Sequence, residues 1–183
     1  MSRIPELLPA DMTDEQRVVF DKITSGPRGS VRGPFLPLIH CPGAADPIQA
    51  LGAYFRFNGI LPGRLRELSI LVTARFWGAQ FEWAAHSVIA EKEGVSPTII
   101  DAISKNETPT FTSEDERIVY TFSKENHETH RVSDETYQQA TDILGHDGVV
   151  ELVSLCGYYT LISMVLNTFE IPSPDPDNPP LEV

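Results

Sequence analysis

Two side chains capable of acid–base chemistry lie four residues apart in the segment Phe-Glu-Trp-Ala-Ala-His, which ends at His86. In an α-helix this spacing places Glu82 and His86 on one face, where a carboxylate can orient an imidazole and favour its charged form. A histidine that titrates near neutral pH is the usual general acid or base of an enzyme. The pair therefore indicates a proton-transfer site. The alternative is an exposed ion pair that stabilises the helix by a few tenths of a kcal/mol.

A second carboxylate, Glu67, lies in a segment that is apolar on most of its circumference, Leu65 to Phe76. Such a segment predicts a buried helix, because a surface helix would show a polar face. A carboxylate in these surroundings must find a partner or raise its pKa and hold a proton. Two interpretations stay open. Glu67 is structural, facing the helix dipole or a nearby arginine, or it takes part in the chemistry.

The other reactive side chains are weaker candidates. The segment His127-Glu-Thr-His130 is one residue shorter than the zinc pattern His-Glu-x-x-His and is typical of a solvated helix end. Cys41 and Cys156 are 115 positions apart and have neither zinc nor redox spacing. His40 beside Cys41 is a poor nucleophile pair, because adjacent side chains usually point apart. We predict no metal site, and the chain has no glycine-rich nucleotide motif or esterase Gly-x-Ser-x-Gly.

Helix signals dominate the sequence and predict an all-α fold of about eight helices. Capping boxes at Thr13-Asp-Glu-Gln and Ser113-Glu-Asp-Glu, together with Ser96-Pro97, mark helix starts. The Gly- and Pro-rich stretch 25–47 predicts a long loop. The last and most apolar helix is expected to begin at Asp147, after Gly145. At roughly 20 residues it approaches the length of a membrane span, but its polar residues favour a core or interface helix.

Composition limits the classes of partner. The 183 residues suit one domain, which we place at 1–170, followed by an extended, acidic, Pro-rich tail at 171–183. The net charge of -12 repels phosphate backbones and anionic lipids, and no basic cluster offsets it. We therefore expect binding to neither nucleic acid nor membrane. The N-terminus lacks the pattern of a signal peptide, which favours a cytoplasmic protein.

The segment Arg66-Glu-Leu-Ser-Ile-Leu-Val-Thr-Ala-Arg-Phe-Trp-Gly-Ala-Gln-Phe-Glu-Trp-Ala-Ala-His, followed by Glu93-Gly-Val-Ser, resembles the carboxymuconolactone decarboxylase family. This family belongs to the superfamily of the alkylhydroperoxidase D-like proteins, and the resemblance extends from about residue 3 to residue 169. It implies a helical bundle that assembles into homotrimers or homohexamers and needs no cofactor. Its active site would lie between helices, close to a subunit interface.

The resemblance also implies roles for individual residues. The Cys-x-x-Cys pair of the peroxidase branch would fall at Ala79 and Glu82, so the chain lacks the thiol nucleophile and peroxidase chemistry is disfavoured. Glu82 and His86 match the decarboxylase branch, in which His86 would be the acid. Glu67 matches the glutamate of the peroxidase branch, where that residue belongs to a proton relay.

The sequence therefore predicts a decarboxylase-like lyase acting on a small cyclic or aromatic-derived carboxylate by His/Glu acid–base catalysis. The substrate carboxylate requires an arginine, for which Arg56 and Arg75 are candidates. Trp83 and Tyr158 are candidate walls of an apolar pocket. The alternatives are an isomerase or dehydratase that uses the same residues, and a non-catalytic oligomeric binding protein.

Overall fold

The computed structural model describes residues 2–175 and residue 181. In this part of the chain a 3-10 turn at Pro9–Asp11 precedes eight α-helices, and no strand occurs. The helices are α1 (Asp14–Ser25), α2 (Phe35–Leu38), α3 (Pro42–Phe57), α4 (Gly63–Phe76), α5 (Gln80–Lys92), α6 (Pro97–Ser104), α7 (Glu114–Glu128) and α8 (Asp134–Thr168). The predicted all-α fold is confirmed.

The chain forms two compact units, 1–59 with 164–172, and 60–163 with 173–183. The first unit contains α1 to α3, and its core consists of Val19, Ile23, Phe35, Ile39 and Ala45. The predicted domain boundary at residue 170 stays a prediction. Of the predicted tail, residues 176–180 and 182–183 lie outside the described residues.

Helix α4 is the most buried helix of the second unit. Every residue from Glu67 to Ala74 is buried, as the apolar circumference of this segment predicts. The helix packs against α5, α6 and α7. A polar side chain between Glu67 and Ala74 is therefore removed from water whichever way it points.

Helix ends agree with the sequence at Thr13 and Ser96 but not at Ser113. Thr13 and Gln16 form the predicted reciprocal capping box, and the Ser96 hydroxyl accepts from the backbone N–H of Thr98. At α7 the Ser113 hydroxyl caps no backbone group and donates instead to the Asp115 carboxylate. That carboxylate accepts from the backbone N–H of Glu116 at 2.8 Å. The predicted box is wrong because a carboxylate within the first turn competes with the serine for an N–H group.

The predicted loop at 25–47 is only partly a loop. It contains α2 and the first turns of α3, which starts at Pro42. Pro42 occupies the first turn, where a missing N–H costs nothing. Pro47 lies inside α3 and removes only one backbone hydrogen bond. The number of prolines and glycines thus overestimated the length of the loop, because Pro42 and Pro47 both fit a helical backbone.

Helix α8 includes the predicted last helix but begins earlier, at Asp134. Gly145 interrupts it with non-helical backbone angles, φ 73° and ψ 171°, close to the expected break. By length and composition α8 could cross a membrane, but 56% of its most apolar window is buried within the chain. This burial favours the interpretation as a core helix.

Glu151 on α8 connects that helix to the start of α4. Its Oε2 accepts from the backbone N–H of Ile60 at 3.0 Å, and its Oε1 accepts from that of Leu61 at 2.9 Å. Both groups lie just before α4 and have no helical partner of their own. The carboxylate therefore fixes the chain where it enters α4.

We expect Glu151→Gln to lower the free energy of unfolding by about 1–2 kcal/mol, because the amide can accept only one of the two hydrogen bonds. Urea unfolding followed by circular dichroism measures the change. The same substitution at exposed Glu91 is the control and should change the stability by less than about 0.5 kcal/mol. Equal losses in the two variants would contradict the assigned role of Glu151.

Candidate active site

A tight turn between α4 and α5 brings the candidate residues together. Gly78 has φ 57°, a left-handed conformation that glycine adopts without strain. The backbone N–H of Ala79 bonds to the carbonyl of Ala74, and that of Gly78 to the carbonyl of Arg75, which is the Schellman pattern of a helix end. The turn reverses the chain, so that α5 packs along α4 and His86 comes to face Glu67.

The imidazole of His86 lies between two carboxylates. Its Nδ1 is 2.6 Å from Oε2 of Glu67, and its Nε2 is 2.9 Å from Oε1 of Glu82. The sequence predicted the second contact from helical spacing. The first joins residues 19 positions apart in the sequence. Thus the structure brings together the three residues predicted to be catalytic.

All three residues are buried: Glu67 is 1% exposed, Glu82 3% and His86 6%. Burial alone would lower the pKa of His86, but the charges of Glu82 and Glu67, with their hydrogen bonds, outweigh it and raise the pKa to about 9. For Glu67, burial opposes ionisation, while His86 and Arg66 favour it and bring its pKa below the ordinary value. At neutral pH, His86 is therefore an imidazolium that donates from both ring nitrogens.

Two residues that contact this cluster, Arg66 and Tyr159, were not among the predicted site residues. Arg66 donates from Nε to Oε1 of Glu67 at 3.1 Å, so the nearby arginine of the structural interpretation is present. The ring of Tyr159 lies against His86, with centroids 5.2 Å apart and a T-shaped angle of 82°. Sequence reasoning chose Tyr158, which packs on Tyr159 at 5.2 Å. Which of the two tyrosines reaches the imidazole depends on how α8 is rotated about its axis relative to α5.

The remaining predicted site residues lie in different places. Trp83 is buried on α5, three residues before His86. Arg75 is near the end of α4, eight residues beyond Glu67 or about 12 Å along the helix, and lines a cleft described below. Arg56 belongs to the first unit, where its guanidinium lies 5.5 Å from the ring centroid of Phe57.

The cluster is poorly suited to bind a metal ion. A histidine ligand needs a free lone pair on one ring nitrogen, and in His86 both nitrogens face carboxylates. Among residues 2–175 and 181, no group of three or more His, Cys, Asp or Glu side chains is arranged to hold a metal.

Residues 42–119 match the carboxymuconolactone decarboxylase family. The whole fold is also that of solved alkylhydroperoxidase D-like structures. An uncharacterized peroxidase-related protein from Ralstonia eutropha JMP134, with an alkylhydroperoxidase AhpD core, superposes with a TM-score of 0.76 and 18% identity, over 95% of this chain and 93% of that one. The family match confirms the resemblance found in the sequence over residues 42–119, and the superposition shows that the chain has the alkylhydroperoxidase D-like fold.

Two further structures share the fold. An uncharacterized peroxidase-related protein from Silicibacter sp. TM1040 has a TM-score of 0.72 and 10% identity, over 93% of this chain and 91% of that one. The debrominase Bmp8, in complex with 2,3,4-tribromopyrrole, has a TM-score of 0.71 and 15% identity, over 94% of this chain and 93% of that one. No curated protein matches the chain significantly. Structures with this fold thus include a debrominase and uncharacterized peroxidase-related proteins.

The raised pKa of His86 makes stability depend on pH. Folding stabilises the protonated ring, so this stabilisation is complete below the ordinary pKa of 6.5 and is lost as the pH rises through about 9. We expect the wild type to lose about 3 kcal/mol more than His86→Gln between pH 6 and pH 10, measured by urea unfolding at each pH. Groups that do not contact His86 titrate alike in both proteins and cancel in the difference. Parallel pH profiles would show that His86 is not held as a cation.

Proposed function

We propose that the protein is a cofactor-free, cytoplasmic lyase of the decarboxylase type that acts on a small cyclic or aromatic-derived carboxylate. One observation supports this above the others: the chain buries a charged imidazolium between two carboxylates in its best-packed region. Burying three ionised groups is costly, and such clusters with perturbed pKa values concentrate at functional sites.

The proposed reaction uses His86 as the acid. In a substrate whose carboxylate is attached to a lactone ring, the bond between the ring carbon and the carboxylate breaks and CO2 leaves. The electron pair remains as a dienolate, whose charge extends onto the lactone carbonyl. A proton must then reach carbon. His86, protonated at neutral pH because of its raised pKa, supplies that proton and becomes neutral. A proton from water restores it, so the net change exchanges the carboxylate for hydrogen.

The environment of the imidazole indicates which nitrogen releases the proton. Nδ1 faces Glu67, which is itself held by Arg66. Nε2 faces Glu82, whose only hydrogen-bond partner in the described part of the chain is His86. The second Glu82 oxygen has no hydrogen-bond partner among the described residues. We therefore assign the exit of the proton to the Nε2–Glu82 side, and Glu67 with Arg66 to holding the ring from behind.

Two alternatives use the same scaffold. An isomerase or dehydratase would need the same proton donor without loss of CO2. A thiol peroxidase is less well supported, because Ala79 and Glu82 stand where its cysteines would be. Cys156 is a poor substitute: it is buried, and burial raises the pKa of its thiol.

The first assay should measure CO2 release from 4-carboxymuconolactone. We expect His86→Gln to lower kcat by about 10²–10⁴-fold, because the amide cannot supply a proton. His146→Gln, at an exposed histidine, should leave kcat unchanged. In the wild type, kcat should fall as the pH rises through about 9, where His86 loses its proton.

Other outcomes of this assay are equally informative. Equal turnover by His86→Gln and the wild type would refute the mechanism. A wild type that consumes the substrate without releasing CO2 would point to the isomerase if the product mass is unchanged, and to the dehydratase if water is lost. A wild type inactive on this lactone would reject it as the substrate.

The proposal includes a homotrimer or homohexamer, supported by an exposed apolar stripe on α8. Val150, Val153 and Leu161 are 66%, 45% and 36% exposed, and helical spacing puts them on one face with Gly157 between them. A Cβ atom at Gly157 would meet nothing within 4 Å, so another helix could approach closely there. Apolar stripes of this kind usually mark contact surfaces.

We expect Leu161→Glu to reduce the mass in solution to that of a monomer, because it buries a charge in the proposed interface. Light scattering after size-exclusion chromatography measures the mass. Val88→Glu, at an exposed valine on α5, should not change it. A monomeric wild type, or an unchanged mass in Leu161→Glu, would contradict the proposed interface.

A further inference from the structure

A cleft opens in the unit formed by residues 60–163 and 173–183, between α4, α7 and the end of α6 with the residues that follow it. Its walls are Val72, Arg75, Phe76, Ile103, Asn106, Glu107, Tyr120, Lys124, His127 and Glu128, and its volume is about 40 Å³. Neither His86 nor its two carboxylates line it. The cleft is therefore separate from the candidate active site.

Arg75 provides a cation without a counter-ion in this cleft. Its side chain forms no ion pair or hydrogen bond with any described residue, and its Nε is buried without a partner. An unsatisfied buried N–H is costly, and an arginine without a carboxylate is unexpected in a chain of net charge -12. The guanidinium presents a planar fork of donors, which suits the two oxygens of a carboxylate.

The other charges at the cleft leave Arg75 available. Lys124 is paired with Glu128 at 2.5 Å, so these two neutralise each other. Glu107 also lines the cleft but forms no ion pair with Arg75 in the described structure. An anion beside Arg75 therefore meets a guanidinium without a direct ion-pair partner among the described residues, and the unpaired Glu107 disfavours ligands of high negative charge.

His127 places a hydrogen-bond acceptor at the same cleft. Its ring stacks on Phe76 with centroids 5.0 Å apart, and its Nε2 lies 2.8 Å from the hydroxyl oxygen of Thr73. We assign the proton between Thr73 and His127 to Nε2, because the single hydroxyl proton of Thr73 is used in its hydrogen bond to the carbonyl of Ser69 at 3.0 Å. Burial, followed by the charge of His130, lowers the pKa of His127, so the ring is neutral. Its Nδ1 thus has a free lone pair.

The size of the cleft limits the ligand. A volume of about 40 Å³ admits a few heavy atoms, whereas a cavity of about 150 Å³ is needed to enclose benzene. The apolar walls of Val72, Ile103 and Tyr120 suit a short carbon chain. The dimensions therefore fit a carboxylate with one or two further heavy atoms.

We propose that this cleft is a binding site for a small aliphatic carboxylate, whose two oxygens bind the guanidinium of Arg75. A hydroxyl on the neighbouring carbon of the ligand donates to Nδ1 of His127. The site goes beyond the proposed lyase function and does not depend on it.

The test follows the Nε–Hε resonance of Arg75 by NMR while acetate, glycolate or acetamide is added to the full-length protein at constant ionic strength. For ligands of this size we expect dissociation constants of about 0.1–10 mM for acetate. Glycolate should bind several-fold more tightly, because its hydroxyl reaches His127. Acetamide has the same size as acetate but no charge and should not bind. Benzoate, which is too large to enter, should bind at least tenfold more weakly than acetate.

Four variants make the result decisive. Arg75→Gln should weaken acetate binding at least tenfold, followed through the backbone amides of the cleft. Arg75→Lys keeps the charge without the fork and should give an intermediate affinity. Arg131→Gln, at an exposed arginine, should bind acetate like the wild type. His86→Gln should also bind acetate like the wild type, because His86 does not line the cleft. Failure of the proposed lyase function would therefore leave the proposed carboxylate site intact.

Several results would overturn the proposal. No saturable acetate binding by the wild type would do so, as would equal acetate binding by Arg75→Gln. Binding of acetamide as tightly as acetate would show that the cleft binds small molecules by apolar contact rather than through their negative charge. Loss of acetate binding in His86→Gln would assign the ligand to the other site.

Discussion

The structure depends on mutual neutralisation within a cluster that is almost wholly buried. Glu67, Glu82 and His86 are each less than a tenth exposed, and none would stay ionised alone in such surroundings. Together with Arg66 they contain two negative and two positive charges. Removing any one member leaves a buried charge without its partner, which is more costly than losing the whole cluster.

The same constraint explains why the most buried helix contains a carboxylate. Helix α4 is enclosed by α5, α6 and α7, so Glu67 cannot turn to solvent. Its pairing with an imidazole from α5 makes the contact between these helices specific in register, which apolar packing alone does not achieve. A scaffold held in register in this way can support different chemistry at nearby positions, in line with the range of proteins that share the fold.

How far the sequence predicts the site depends on whether a contact is local. Glu82 and His86 are four residues apart on one helix, so their contact follows from periodicity alone. The burial of Glu67 follows from the apolar circumference of its segment. The Glu67–His86 contact needs the geometry of the turn between two helices. The choice of Tyr159 over Tyr158 needs the phase of α8, which no local pattern contains.

The fold shows the same division between local and competing signals. The start of α1 was predictable, because Thr13 and Gln16 have no rival for the backbone groups that they cap. At α7, Asp115 replaced the predicted cap. In α3, prolines at positions that a helix tolerates led to the prediction of a loop.

The turn at Gly78 also limits how the length of the chain can vary. One inserted residue there would rotate α5 by about 100° and advance it by about 1.5 Å. Glu82 and His86 would move together, but Glu67 would face a different side of α5, so variation in chain length is strongly disfavoured at this turn.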